Sequence, residues 1–147
     1  MYKKMLVPLD GSKLAETALP FATELSWKLN LETILFHVCA PEERELAPMH
    51  QAYIHRTVEA MMQRLEGIQE QADTPTIEAR GELATGHPAD EILRYAEKNN
   101  VDLILMATHG RSGPSRWIYG SVTEKVLQGA SSPLLLVRPS ASSSEQG

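Results

Sequence analysis

An alternation of two hydrophobic patterns along the chain constrains its fold more than any other feature. Five short apolar runs, typical of buried strands, alternate with four longer segments in which apolar residues recur at steps of three and four, as on one face of a helix. The predicted strands are residues 5–9, 31–38, 76–84, 101–107 and 134–137. The predicted helices are residues 15–29, about 48–73, 88–99 and 120–130. Strands and helices therefore alternate from end to end.

This alternation predicts a parallel sheet. Apolar strands that lack a polar face need helices on both sides, and right-handed crossovers leave few topologies. We therefore expect an α/β fold with a single doubly wound, five-stranded parallel sheet in one domain over residues 1–139. Residues 140–147 are polar, have nothing to bury, and are expected to form a disordered tail.

Composition narrows the class of protein. The chain has 147 residues and a formal net charge of −5, and an acidic protein is not drawn to nucleic acid or to an anionic membrane surface. The single cysteine, Cys39, excludes an intramolecular disulfide and a multi-cysteine metal site. The apolar run at 5–9 is shorter than a signal-peptide core of about 7–15 residues or a membrane span of about 20. We expect a cytoplasmic protein with no nucleic-acid partner and no membrane insertion.

Isolated polar residues carry weaker signals. His37 lies in a predicted strand and is expected to be a hydrogen-bonded residue of the core or its rim. His50 and His55 are five positions apart, whereas residues that share a helix face are three or four apart, so no zinc pair is predicted. No general base can be assigned to Cys39 or Ser12 from the sequence, so neither is predicted to be a nucleophile.

Two loops stand out because ligands of open α/β sheets bind at the carboxyl ends of the strands, where strand order reverses. The first loop is Asp10-Gly11-Ser12. The second, residues 107–121, is longer than the usual connection of about 2–6 residues and holds three glycines before a helix. Glycines let backbone N–H groups approach a ligand, and a helix N-terminus favours anions, so this loop predicts phosphate binding. A second interpretation is a capping box of Ser121 and Glu124, which would satisfy the helix start without a ligand.

Common nucleotide and nucleophile motifs are absent. The chain has no G-x-x-x-x-G-K-[ST] and no G-x-G-x-x-G after the first predicted strand. Gly110-Arg111-Ser112-Gly113 does not match the G-x-S-x-G elbow of hydrolases, since position 114 is proline. These motifs therefore indicate no enzyme class.

The long loop carries a resemblance. Ala107-Thr108-His109-Gly110, nine residues and then Gly120-Ser121 resembles the G-x-x-G-x(9)-G-[ST] nucleotide motif of the universal stress protein family, with alanine in place of the first glycine. Residues 2–12 resemble the family's opening strand and aspartate loop, and residues 120–126 and 132–138 resemble its closing helix and strand. The chain is identified as a member of the ATP-binding branch of that family.

The resemblance implies a sheet of order 3-2-1-4-5 and a site for ATP with Mg²⁺ across strands one and four. Asp10 would lie near the ribose or a phosphate-bound metal ion, although no metal ligand is assigned firmly. Val38 would meet adenine through its backbone and Met106 would pack near the base, while the glycine loops would hold ribose and phosphates. The implied nucleotide-binding residues are Pro8, Leu9, Asp10, Val38, Met106, Ala107, Thr108, His109, Gly110, Arg111, Ser112, Gly113, Gly120, Ser121, Val122 and Thr123.

The last predicted strand, formed by Leu134, Leu135, Leu136 and Val137, would be an exposed apolar edge that needs cover. The resemblance implies that the same strand of a second copy covers it, which gives a two-fold homodimer. We expect a nucleotide-dependent regulatory protein of the stress response, not an enzyme, with at most slow ATP hydrolysis. Two alternatives stay open: a dimeric interaction module that binds no nucleotide, and an enzyme that adenylates a substrate.

Overall fold

Strands and helices alternate in the structure, a computed structural model that describes residues 2–72, 77–108 and 120–138. The strands are β1 (Lys4–Leu9), β2 (Glu32–Cys39), β3 (Ala79–Thr85), β4 (Leu103–Ala107) and β5 (Leu134–Val137). The helices are α1 (Lys13–Glu16), α2 (Ala18–Leu29), α3 (Ala47–Ala72), α4 (Pro88–Lys98) and α5 (Ser121–Gly129), and a 3₁₀ helix (Pro41–Leu46) precedes α3. Residues 139–147, which include the predicted tail, lie outside the described residues.

The five strands form one parallel sheet in the order β3-β2-β1-β4-β5. The chain moves outward from β1 through β2 to β3 and then returns to the other side of β1. Leu6 shows the central position of β1, because it is in register with Ile34 of β2 on one side and with Ile104 of β4 on the other. The predicted doubly wound sheet and its strand order are confirmed. Strand order reverses between β1 and β4, which places a crevice at their carboxyl ends.

Burial on both faces explains why β1 reads as an apolar run without alternation. Its residues Met5 to Leu9 are all buried. Met5 and Val7 pack in a cluster on the α2 and α3 face of the sheet, whereas Leu6 packs on the opposite face with Ile92 of α4 and Val126 of α5. Side chains of a strand point alternately to its two faces, so one strand supplies both halves of the core.

The first predicted helix is divided in the structure. Residues 15–29 were predicted as one helix, but α1 ends at Glu16, Thr17 lies between the helices, and α2 begins at Ala18. Pro20 explains the break, because proline has no N–H to donate to the carbonyl of Glu16 and its ring crowds that position. The periodicity of apolar residues did not register this single backbone effect.

Other element boundaries differ by a few residues, and β4, predicted from residue 101, begins at Leu103. The third predicted strand was expected from residue 76, and β3 begins at Ala79; Ile77 is buried in the core but precedes the strand. The long helix predicted to begin at about residue 48 begins at Ala47. Within residues 2–72, 77–108 and 120–138, no helix combines the length and the apolar character that a membrane crossing requires.

Candidate functional site

A cavity of about 340 Å³ opens at the carboxyl ends of β1 and β4, where strand order reverses. Its walls come from β1, β2 and β4 and from the starts of α1, α4 and α5. This is the position that the switch-point rule for open α/β sheets gives for a ligand. The described lining residues are Pro8, Leu9, Asp10, Ser12, Leu14, Ala15, Phe36, Val38, Pro88, Ile92, Met106, Ala107, Gly120, Ser121, Val122 and Thr123.

The loop after β1 forms one polar wall of the cavity. Asp10 accepts hydrogen bonds through Oδ1 from the backbone N–H of Ser12, at 2.9 Å, and from the Ser12 hydroxyl, at 2.5 Å. The Ser12 Oγ in turn accepts from the backbone N–H of Ala15 at 3.1 Å and so caps α1. Gly11 between them has φ +86°, a left-handed conformation that side chains disfavour. The sequence Asp-Gly-Ser thus holds an exposed carboxylate at a fixed place on the cavity rim.

The start of α5 forms the other polar wall. Gly120 is the N-cap residue, has φ +101°, and makes no side-chain capping hydrogen bond. Its carbonyl accepts from the backbone N–H of Glu124 at 3.0 Å, which begins the helix. The capping box predicted from Ser121 and Glu124 is therefore wrong, because Ser121 is already the first helical residue. The first N–H groups of α5 have no partners within the helix, as at any helix start, and they carry the positive end of its dipole.

The remaining wall of the cavity is apolar. Phe36 and Val38 of β2 face it together with Ile92 of α4 and Met106 of β4. The Phe36 ring packs against the ring of Tyr95, with the two ring centroids 4.8 Å apart. The cavity therefore has an apolar side, toward β2 and α4, and a polar side, toward Asp10 and α5. A ligand with a flat apolar part and an anionic part suits this division.

The structure brings most of the predicted nucleotide-binding residues to this cavity. Ten of the sixteen line it: Pro8, Leu9, Asp10, Val38, Met106, Ala107, Gly120, Ser121, Val122 and Thr123. Thr108 is buried and its backbone N–H donates to the carbonyl of Val137 at 2.8 Å, but it does not line the cavity. The predicted residues His109, Gly110, Arg111, Ser112 and Gly113 lie outside the described residues.

Sequence reasoning missed several lining residues. Ser12 was the easiest of these to predict, because it belongs to the Asp-Gly-Ser loop that the sequence analysis had already identified. Phe36 and Ile92 carried no local signal that separates a cavity residue from a core residue. Pro88 had been predicted to begin a helix, and the start of that helix reaches the cavity only because β3 and α4 fold beside β2.

A second polar group lies at the carboxyl end of β2. His37 donates or accepts at both ring nitrogens, with Nδ1 2.7 Å from the carbonyl oxygen of Leu9 and Nε2 2.7 Å from Nδ1 of His50. His50 Nε2 is 3.1 Å from Oε2 of Glu43, and Cys39 lies close by. The expectation that His37 is a hydrogen-bonded core residue agrees with these contacts. The fold also brings His50 near Cys39, a proximity that the sequence did not indicate.

Tyr53 of α3 packs against this group of polar residues. Its ring meets the His37 ring edge-on, with the centroids 5.2 Å apart, and its hydroxyl donates to Oε2 of Glu16 at 3.0 Å. Burial, together with the Glu16 carboxylate, raises the pKa of Tyr53 well above its ordinary value. Tyr53 therefore stays a neutral hydrogen-bond donor across the physiological pH range.

The fold and the cavity define a doubly wound α/β protein with a ligand crevice at the β1–β4 switch point. The model of the universal stress protein family matches residues 1–138, and the chain belongs to that family.

Individual relatives agree with this assignment. The chain is 30% identical to universal stress protein YxiE of Bacillus subtilis, over 94% of this chain and 100% of the relative. It superposes on the solved structure of protein MJ0577, from Methanocaldococcus jannaschii, with a TM-score of 0.64 and 30% identity over 96% of this chain and 99% of that one. A universal stress protein solved in complex with cAMP is 23% identical, with a TM-score of 0.61 over 95% of this chain and 98% of that one, and shares the fold.

Proposed function

We propose that the cavity binds ATP together with Mg²⁺ and that the protein acts as a nucleotide-dependent regulator rather than as an enzyme. One observation carries the proposal: an uncapped helix N-terminus, that of α5, faces the same cavity as an apolar wall from β2 and α4. A capping side chain would have satisfied the helix start without a ligand. Its absence leaves backbone donors available to phosphate oxygens.

The apolar side of the cavity suits an adenine ring. Val38 and Met106 would contact the base, and the backbone of Val38, near the carboxyl end of β2, would hydrogen-bond to it. The nucleoside then lies along Pro8 and Leu9 toward Asp10. A base bound between apolar side chains and oriented by a few polar groups is typical of small-molecule sites.

The polar side suits phosphates. Gly120 leaves open space beside the start of α5, since a Cβ built there meets nothing within 4 Å, and Ser121 and Thr123 add hydroxyl groups. The Asp10 carboxylate on the opposite rim would repel a polyphosphate unless a cation lies between them. Carboxylate and phosphate oxygens are ligands that Mg²⁺ prefers, so Asp10 is the residue that would hold it.

The net charge of −5 does not oppose this proposal, since local donors and a helix dipole act at short range whatever the total charge. The relative that was solved with cAMP supports an adenine nucleotide at this fold. Nucleotide occupancy would change the surface around the β4–α5 loop and so change which partners bind. We place the protein in the cytoplasm, where ATP is abundant.

Thermal unfolding with and without ATP tests the proposal. ATP with Mg²⁺ at about 100 times its dissociation constant should stabilise the fold by about 2.7 kcal/mol and raise Tm by roughly 5–10 °C. GTP is the control for adenine recognition. If millimolar ATP leaves Tm unchanged and denatured protein releases no adenine absorbance, the nucleotide-free interaction module is the better description. Release of AMP and pyrophosphate with a small acid would instead favour an adenylating enzyme.

Gly120→Val tests the α5 end of the site. Valine disfavours φ +101° and places a branched side chain beside the cavity, so the ATP-induced rise in Tm should disappear. Gly129→Ala is the matched control at the other end of α5. A Cβ at Gly129 would lie 2.7 Å from Cδ1 of Leu93, the end of a side chain that can move aside and that does not line the cavity, so this variant should keep the ATP-induced rise in Tm. If both variants keep the rise, the start of α5 does not bind phosphate.

We also propose that the protein is a homodimer through β5. This strand is at the edge of the sheet, and Leu135 on it is 40% exposed. The carbonyls of Pro133 and Val137 accept from β4, which directs the backbone groups of Leu134 and Leu136 outward. Leu136→Pro therefore removes an outward donor but no hydrogen bond to β4. Light scattering should show a dimer for the parent chain and a monomer for this variant, and a parent monomer at micromolar concentration would refute the dimer.

A further inference from the structure

The strongest unassigned feature is the group of donor side chains between β2 and α3. Cys39 ends β2, Glu43 lies in the following 3₁₀ helix at a non-helical kink, and His50 lies in the first turn of α3. One donor atom from each of these three residues lies within 4.8 Å of the other two. None of the three lines the cavity described above. The group is therefore a separate candidate for chemistry.

Hydrogen bonds fix the tautomer of His50. The carbonyl of Leu9 can only accept, so Nδ1 of His37 carries the proton in their 2.7 Å contact. In a neutral His37, Nε2 must then accept, and Nδ1 of His50 donates to it at 2.7 Å. A neutral His50 thus presents the bare lone pair of Nε2 toward the Glu43 carboxylate, 3.1 Å away. Two acceptors at this distance need a cation between them, either a proton or a metal ion.

The thiol of Cys39 adds a third possible metal ligand beside this pair. It is fully buried, and its Sγ lies 3.4 Å from the carbonyl oxygen of Glu43 and 3.5 Å from that of Ala40, both within hydrogen-bond range for a thiol. Sulfur, imidazole nitrogen and carboxylate oxygen are the three donor types of tetrahedral zinc sites. Ligand atoms of such sites are about 3.4–3.6 Å apart, as follows from bond lengths of about 2.0–2.3 Å. The His50–Glu43 contact is already near this spacing, and the side chain of Glu43 is 48% exposed and can adjust.

We propose that Cys39 Sγ, Glu43 Oε2 and His50 Nε2 bind one zinc-class divalent cation, with the fourth position open to water. His37 is a positioning residue, because its Nε2 accepts from His50 Nδ1 and so directs the other nitrogen to the metal. On binding, the metal–sulfur bond forms and the thiol proton leaves to solvent. Mg²⁺ and Ca²⁺ do not suit the site, since they prefer oxygen ligands throughout.

Cobalt substitution gives a direct test on the reduced, metal-free full chain. Titration with Co²⁺ should produce a sulfur-to-cobalt charge-transfer band that saturates at one ion per chain, and Zn²⁺ should displace it. Cys39→Ser should abolish the band. His50→Gln should weaken Zn²⁺ binding by at least tenfold, and because His50 is partly exposed this variant tests the site even if Cys39→Ser does not fold.

Two further variants separate the roles. His55→Gln is the matched control: His55 lies on the same helix and pairs with Glu59, but it is outside the group, so binding should be unchanged. His37→Phe should weaken Zn²⁺ binding by about 10–100-fold while the charge-transfer band persists at saturating Co²⁺. Unchanged Zn²⁺ binding in a folded His37→Phe variant would show that His37 does not position His50.

The proposal is overturned if the parent chain gives no charge-transfer band, which would leave the group as a proton-bridged pair beside a thiol. It is also overturned if His50→Gln and His55→Gln bind Zn²⁺ equally, since the ion would then be held by surface histidines in general. Neither result depends on nucleotide binding, so this test is independent of the proposed ATP site.

Discussion

Two polar regions lie at the carboxyl end of the sheet, and they are made from different parts of the chain. The region at β1 and β4 presents mainly backbone groups, through Gly120 and the start of α5, beside an apolar wall. The region at β2 presents side chains, through the hydrogen-bonded series His37, His50 and Glu43 with Cys39 nearby. The two regions meet at Leu9, which lines the cavity and whose carbonyl accepts from His37.

This difference has a consequence for stability. Backbone donors at a helix start stay solvated when no ligand is present, so changing that region alters binding more than folding. The imidazole of His37 is almost fully buried, so its partners lose their hydrogen bonds if it is removed. We therefore expect a variant at the start of α5 to weaken ligand binding without destabilising the fold. A variant of His37 should lower the free energy of unfolding without weakening ligand binding.

The largest effect is expected for Ser121→Asp. A carboxylate at the first residue of α5 repels phosphate and should weaken ATP binding roughly 100-fold, or by about 2.7 kcal/mol. The same charge favours the helix dipole and should raise the free energy of unfolding by about 0.3–1 kcal/mol. Calorimetry of ATP binding and urea unfolding measure the two effects. Ser131→Asp, an equal charge change outside the cavity lining, is the control. If Ser121→Asp binds ATP as tightly as the parent chain, the start of α5 is not part of the ATP site.

The next effect is expected for His37→Phe. The ring keeps its place beside Tyr53, but Leu9 and His50 lose a hydrogen-bond partner, so the free energy of unfolding should fall by about 1–3 kcal/mol. The ATP-induced rise in Tm should remain. Urea unfolding measures the change, with the exposed His55→Gln as control. An unchanged urea midpoint for His37→Phe would mean that the hydrogen bonds of His37 do not stabilise the fold.

The smallest effect is expected at the opposite end of the sheet, where a side chain satisfies backbone donors. Asp102 Oδ2 accepts from the N–H groups of Lys3 and Lys4, at 2.8 and 2.9 Å, and these bonds lower the pKa of the carboxyl. A lowered folded-state pKa stabilises the protein above the unfolded value of about 3.9, and this stability is lost as pH falls through the folded-state pKa. Asp102→Asn should therefore flatten the decline of unfolding free energy below about pH 4. An identical acid profile for both chains would contradict this.

Features of the fold could be predicted where they depend on residues that are close together in the sequence. Buried strands such as β1 and the face of α4 were readable, because their patterns repeat within a few residues. The break before α2 was missed because one residue, Pro20, overrides the period of the apolar residues around it. Five of the predicted site residues, from His109 to Gly113, lie outside the described residues and remain predictions.

The candidate site shows the same limit. The glycine at 120 was a local signal, but the competing capping box of Ser121 and Glu124 was equally local, and the backbone conformation at Gly120 decided between them. Phe36 and Ile92 reach the cavity through packing of elements that are distant in sequence, so no short motif could mark them. His50 was judged against His55 on one helix, whereas its partner is His37 on a neighbouring strand.

The alternation of strands and helices, the parallel sheet and the two glycine-bearing loops follow from the amino-acid sequence alone, because hydrophobic periodicity and backbone freedom are local properties. The tertiary structure was needed to show that Phe36 and Ile92 share a cavity with Asp10 and Gly120, and that Cys39, Glu43 and His50 converge beside His37. Such meetings depend on burial of apolar surface across the whole sheet, which fixes distances between residues that no local pattern relates.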